Sequence, residues 1–172
     1  MATLGALMAR LFLAVWPPDD VVADLLALPR KDQRGVRFVH PDNWHITLRF
    51  FGDAHADDVQ GALAGFRPSP ARVRLGPAVD VLNERALVLP VDGLDAVAAD
   101  VNERTRTLGE PPRQRFVGHL TLARVKPHVA MPKALGMMAE AEFEMEEVAL
   151  VQSRLDPAGA RYSTIATWPV VR

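Results

Sequence analysis

Two tetrapeptides of one pattern, His-aliphatic-Thr-Leu, constrain this chain more than any other feature: HITL at 45–48 and HLTL at 119–122. They lie 74 residues apart, one in each half of a chain of 172 residues. Each sits in a stretch that alternates as a half-buried strand does. In NWHITLRFFGD, Ile46, Leu48 and Phe50 alternate with His45, Thr47 and Arg49. In GHLTLARV, Leu120 and Leu122 alternate with His119 and Thr121. Residues i and i+2 of a strand share a face about 6.5 Å apart. Each copy therefore aims an imidazole and a hydroxyl to one side and anchors itself in the core on the other. RFV precedes both copies, at 37–39 and 115–117, with unequal gaps. Two central strands related by a pseudo-two-fold would set both His–Thr pairs across one groove.

The rest of the chain reads as mixed strands and helices. Strands are expected at 10–16, 45–51, 71–82, 85–91, 118–125, 143–155 and 160–170, and 35–39 reads as either a short strand or a strand-like loop. Pro18, Asp19 and Asp20 open a helix that Pro29 closes. A helix with an acidic first turn follows Gly52, an amphipathic one covers 92–109 and stops at Gly109, and a short one covers 132–141. HPDN at 40–43 and Asn83–Glu84 are turns. The expectation is one α+β domain over 1–172: bilobal, with two antiparallel-rich sheets facing a central groove, helices on the outer faces and a pseudo-two-fold. Residues 1–7 read as a dispensable extension, with translation from Met8 as the alternative start.

Composition narrows the chemistry. The net charge is −1, so no global field recruits nucleic acid and any anion site is local. Only three of the 20 basic residues are lysines (Lys31, Lys126, Lys133), and arginine forks match phosphate oxygens. There is no cysteine, which excludes disulfides, thiol catalysis and Cys-ligated metals and fits a reducing cytoplasm. The apolar N-terminus lacks a charged leader and is broken by Arg10, so no signal or membrane span is read there. A cytoplasmic monomer with no membrane partner and no cofactor is expected.

Two imidazoles on rigid strands suit in-line displacement at phosphorus. One deprotonates the attacking oxygen while the other protonates the leaving oxygen. Thr47 and Thr121 can hold the non-bridging oxygens and the charge that develops on them. No nucleophilic side chain and no metal is required.

At these motifs the chain resembles the two-histidine (2H) phosphoesterase superfamily, and within it the bacterial and archaeal RNA 2′,3′-cyclic phosphodiesterases, also called 2′-5′ RNA ligases. RLFLAVWPPDDV resembles the family's first strand and helix, VHPDNWHITLRFFGD its first motif, FVGHLTLARV its second, and SRLDPAGARYSTIATWPV its closing hairpin. The resemblance implies metal-independent hydrolysis of RNA 2′,3′-cyclic phosphate ends to 2′-phosphomonoesters, with reverse 2′-5′ ligation as a secondary activity. It makes His45 similar to the donor to the leaving O3′ and His119 to the acceptor that activates water, although the near-symmetry of the motifs leaves their order open. Thr47, Thr121 and Arg124 would bind phosphate. By strict alternation Arg124 should point away from His119, so only a twist or the strand end could bring it to substrate. Where the family has Pro before its second His, this chain has Gly118.

Lesser candidates for substrate contact are Phe38, Arg37, Arg49, Arg115 and Tyr162. Trp44 and Phe116 fit the core better. His55 with its neighbouring Asp residues is an acidic helix start rather than a metal site, and His40 and His128 receive no role. The substrates expected are RNA ends or small cyclic nucleotides. The rivals are another cyclic-nucleotide or 2′-5′ oligonucleotide phosphodiesterase, and a non-catalytic RNA-end binder.

Overall fold

A computed structural model describes residues 7–172; the expectation for the N-terminal extension falls on residues 1–6, which lie outside that range, and on Leu7. The chain runs β1 (Met8–Val15), α1 (Asp19–Leu25), β2 (Val36–Phe38), β3 (Ile46–His55), α2 (Ala56–Ala62), β4 (Arg72–Leu75), β5 (Asp80–Leu82), β6 (Ala86–Asp92), α3 (Asp95–Arg104), β7 (His119–Val125), β8 (Ala141–Glu144), β9 (Glu147–Asp156) and β10 (Gly159–Pro169). The strands pair antiparallel throughout, in the order β10-β9-β1-β3-β7-β6-β4-β8, with β2 on β7 and β5 on β6. This is the expected α+β, antiparallel class, with the two expected sheets joined through β3 and β7 into one.

The two lobes meet at a seam one residue pair wide, Ile46 opposite Leu120. Those two residues are the centres of the two tetrapeptides, so a local two-fold passes between them. Counted outward in the antiparallel sense, His45 stands across from Thr121 and Thr47 across from His119. The strands then diverge, and each opening is filled by the chain that leads into the other motif. On one side the Val39 N–H donates to Leu122 O (2.8 Å); on the other the Glu110 N–H donates to Phe51 O (2.7 Å). Behind the seam, Ile46, Leu48, Leu120 and Leu122 join one core with Leu11, Leu13, Leu87 and Leu89. Burial of such side chains, about 1.5–3 kcal/mol each, fixes which face of each strand is left for the groove. The helix between each strand pair repeats the symmetry: α1 follows β1 and α3 follows β6, with α3 lying against β3 of the opposite lobe.

Three segments depart from the sequence reading. Residues 71–82 form two strands rather than one, because Gly76 and Pro77 break the ladder between β4 and β5. Residues 132–140 hold a turn, not a helix: Leu135 and Met137 donate their N–H groups back to Pro132 O (3.1 Å) and Ala134 O (3.0 Å), while Gly136 and Ala139 donate across the fold to Val79 O (3.0 Å) and Pro77 O (2.9 Å), and Ala141 already belongs to β8. The stretch 143–155 is cut at Met145, a buried side chain whose N–H donates to Ala71 O (2.9 Å). The last helix is also shorter than expected, ending at Arg104, and Gly109 serves another purpose: a Cβ there would lie 2.4 Å from Phe51 O. Among the described residues, no helix is long and apolar enough to cross a membrane.

Candidate active site

A bulge follows each motif at the same place. Along β1 and β3, Ala14 pairs with Thr47 and Leu13 with Arg49, leaving Leu48 as the extra residue. Along β6 and β7, Val88 pairs with Thr121 and Leu87 with Ala123, leaving Leu122 extra. An extra residue inverts the alternation beyond it. After the first bulge Arg49 and Phe51 therefore turn to the core and Phe50 to the groove. After the second, Ala123 turns to the core and Arg124 joins His119 and Thr121. The strict alternation expected from the sequence fails at both points.

This inversion corrects Arg49. It is 3 % exposed, and its guanidinium donates to Phe50 O and to Leu108 O (2.7 Å), lies 3.5 Å from Thr105 O and sits over the Phe51 ring. It ties β3 to the carbonyl end of α3, where a cation is favourable. Burial lowers its pKa, and the nearby Glu110 carboxylate opposes that. Arg49 does not reach the groove.

The two histidines are held alike. His45 Nδ1 lies 2.7 Å from Asn43 O, and His119 Nδ1 lies 2.7 Å from Val117 O. A carbonyl accepts only, so both rings carry hydrogen on Nδ1 and present Nε2 to the groove. Beyond that they differ. His45 Nε2 lies 3.0 Å from Thr47 Oγ1, which in the neutral ring makes the Thr hydroxyl the donor. His45 is also walled by three rings: Phe12 (centroids 4.8 Å apart), Tyr162 (5.3 Å) and Trp16 (5.7 Å). Trp16 is fixed in turn by its Nε1–H to Thr164 Oγ1 (3.2 Å). Burial pushes the His45 pKa below its ordinary value; the positive charges of His119 and Arg124 push the same way, and the Asn43 carbonyl opposes them. Among the described residues, no aromatic ring stacks on His119. Its strand neighbour on β6 is Pro90.

The remaining candidates separate cleanly. Tyr162 lies in the aromatic wall. Arg37 stands opposite Arg124 in the register of β2 with β7, and both are exposed. Arg115 is exposed on the loop before β7 and makes no side-chain hydrogen bond or ion pair among the described residues. Phe38 turns from the groove to pack on the core, lining a small interior cavity with Trp44 and Leu122. Trp44 is buried, and Phe116 is partly buried against the core. His55 ends β3 just before the acidic first turn of α2. Phe12 and Trp16 escaped the sequence reading. Their alternation within RLFLAVW was visible, but that run also fits a strand buried on both faces. Gly118 has a packing reason: a Cβ there would lie 2.4 Å from Val91 O.

Comparison with other proteins bears on the family and the fold. The family model described as LigT like Phosphoesterase matches residues 15–78. The RNA 2′,3′-cyclic phosphodiesterase of Thermus thermophilus is 30% identical over 91% of this chain and 87% of its own length. That of Methanocaldococcus jannaschii is 25% identical over 92% of this chain and 99% of its own. Among solved structures, Escherichia coli LigT complexed with 3′-AMP superposes with a TM-score of 0.77 at 23% identity, covering 96% of this chain and 99% of that one. A Thermus thermophilus structure gives 0.76 at 28% identity, covering 94% and 97%.

Proposed function

Since the chain belongs to the LigT-like phosphoesterases of the two-histidine superfamily, we propose that its groove hydrolyses RNA 2′,3′-cyclic phosphate ends to 2′-phosphomonoesters. The observation that carries this reading is the pair of imidazoles related by the seam two-fold, each with Nδ1 locked on the carbonyl two residues earlier. Two Nε2 atoms on opposite sides of one phosphorus are what in-line displacement requires. His119 Nε2 takes a proton from water as its oxygen attacks phosphorus. The P–O3′ bond breaks, and His45 Nε2–H gives its proton to O3′. The products are a 3′-hydroxyl and a 2′-phosphomonoester. Thr47, Thr121 and Arg124 hold the non-bridging oxygens as charge builds on them. His45 and His119 thus supply the acid and the base from the protein itself, and the reaction is assigned no metal.

His45 is driven toward its neutral form in the free protein, whereas a donor must be protonated. The bound phosphate resolves this, since a negative charge beside the ring favours the imidazolium. Binding also draws the Thr47 hydroxyl from Nε2 to a phosphate oxygen. The names of the relatives, RNA 2′,3′-cyclic phosphodiesterase, support RNA ends as the substrate class.

The test is an RNA oligomer ending in 2′,3′-cyclic phosphate, incubated with and without chelator, with the terminal nucleotide released and identified chromatographically against authentic 2′- and 3′-phosphate standards. A 2′-phosphate formed equally in both is the expected result. A 3′-phosphate would reverse the geometry assigned to the two histidines. Loss with chelator would restore a metal to the reaction, and tight binding without turnover would make the groove an RNA-end binding site.

A further inference from the structure

Arg37 on β2 directly faces Arg124 on β7. The neighbours Val36 and Phe38 pack on the core, so Arg37 points the other way, onto the face that the second bulge gives to Arg124. Like charges directly opposite in a sheet repel, and elsewhere this fold relieves them. Arg72 and Arg74 on β4 look across at Glu142 and Glu144 on β8, with contacts of 2.6 to 3.6 Å. Arg154 faces Arg161 on the β9–β10 hairpin, and there Asp156 stands 2.9 Å from the Arg161 guanidinium. Among the described residues, no carboxylate forms an ion pair with Arg37 or Arg124.

Arg37 is also positioned. Its strand is paired to β7, and its Nη2 lies over the β9–β10 turn, where a Cβ on Gly159 would sit 2.9 Å from it. The same hairpin is fastened to the loop before β3 by Asn43 Nδ2–H to Ala160 O (3.0 Å). An uncompensated pair of forks therefore stands at one end of the groove, roughly 10 Å along β7 from Thr121.

Resting on the cyclic phosphodiesterase reading, we infer that Arg37 and Arg124 hold a second phosphate of the substrate: the one on the 5′ oxygen of the nucleotide whose cyclic phosphate lies between the histidines. Planar guanidiniums match phosphate oxygens two at a time and lose little freedom in doing so. The preferred substrate is then an RNA end or a 5′-phosphorylated nucleotide, not a bare nucleoside cyclic phosphate. Arg37 touches no reacting atom and acts as a specificity residue, while Arg124 lies between the two phosphates.

The experiment compares kcat/KM for adenosine 2′,3′-cyclic phosphate, its 5′-phosphorylated form and an adenosine dinucleotide ending in the cyclic phosphate. The wild type should favour the two substrates with a second phosphate by about tenfold to hundredfold. Arg37→Ala should bring that ratio close to one, and Arg37→Lys should keep part of it. Equal values for wild type with and without the 5′-phosphate, or a ratio that survives Arg37→Ala, would overturn the second-phosphate site and leave the reaction standing. If the wild type opens none of the three, the reaction itself falls. Calorimetric titration with adenosine 3′,5′-bisphosphate and adenosine 3′-monophosphate then decides the site alone. Tighter binding of the bisphosphate that Arg37→Ala removes upholds it, and equal binding overturns it.

Discussion

The strands that carry His45 and His119 repeat one another almost residue for residue, and what surrounds them does not. Both motifs put Nδ1 on the carbonyl two residues back, both centre on the seam pair, and both are followed by a bulge. The bulges then deliver different side chains to equivalent places. Arg49 and Ala123 go to the core; Phe50 and Arg124 go to the groove. The β1 lobe adds Phe12, Trp16 and Tyr162 around His45, while the β7 lobe offers Arg124 and Arg37 to solvent. A symmetric scaffold thus presents two imidazoles in equivalent places, and an asymmetric surround sets them apart. In the proposed reaction the two rings start with different numbers of protons, and the surround makes the free His45 the harder one to protonate until phosphate binds.

The largest effect should come from removing either ring. In the proposed reaction, His45→Ala and His119→Ala should each lower kcat/KM about 10²–10⁴-fold and leave the melting temperature within a few degrees, since both rings face the groove. The double variant should be little worse than the worse single one, because the two act as a unit. Substantial turnover in both single variants would end the acid–base assignment. Full activity in one alone would show that the symmetry of the strands misleads about the chemistry.

Two arginines sharpen the same comparison. Arg49 and Arg124 each follow a motif, one and two residues past the extra leucine, and that single step decides their fates. Arg49→Ala should cost about 2–4 kcal/mol of stability, because it takes the guanidinium donor from the carbonyls of Phe50 and Leu108 and opens space in the core. Its folded fraction should keep most of its activity. Arg124→Ala should do the opposite, lowering kcat/KM at nearly unchanged stability. Denaturant titration beside steady-state kinetics separates the two. An active-site defect in well-folded Arg49→Ala would contradict the inversion at Leu48.

What the sequence could and could not say follows the same line. Period-two alternation, the turn at Asn83–Glu84 and the repeated motif were legible because each is encoded by neighbours along the chain. The His–Thr face, the pseudo-two-fold and the α+β class came from those. The bulges were not legible, since an extra residue in one strand is defined by its partner strand, and no residue at Leu48 or Leu122 announces it. Arg49 was therefore drawn toward the groove and Arg124 away from it. The segment 132–141 failed for a related reason: its apolar residues suit a helix, but the backbone donors of Gly136 and Ala139 are taken by Val79 and Pro77. Gly76–Pro77 was a readable break that alternation on either side obscured. The aromatic wall depends on β10 returning beside β9 to bring Tyr162 over Phe12, a long-range pairing that tells which face of β1 is bare.

The smallest effect tests the asymmetry itself. Burial first, and then the charges of His119 and Arg124, hold the His45 pKa below its value in the unfolded chain, about 6.5. As pH falls through 6.5 the unfolded chain takes up the proton before the folded one. Folding stability is therefore fully present above 6.5 and is lost as pH drops toward the lower folded value. His45→Gln should remove that part of the acid-side decline in melting temperature. By NMR, the His45 ring of the free protein should titrate with a midpoint below about 6.5, and inorganic phosphate should raise it, since a bound anion favours the imidazolium. A free-protein midpoint at or above 6.5 would mean that the aromatic wall does not set His45 apart from His119. The burden of breaking the two-fold would then pass to Arg124 and Arg37 on the other side of the groove.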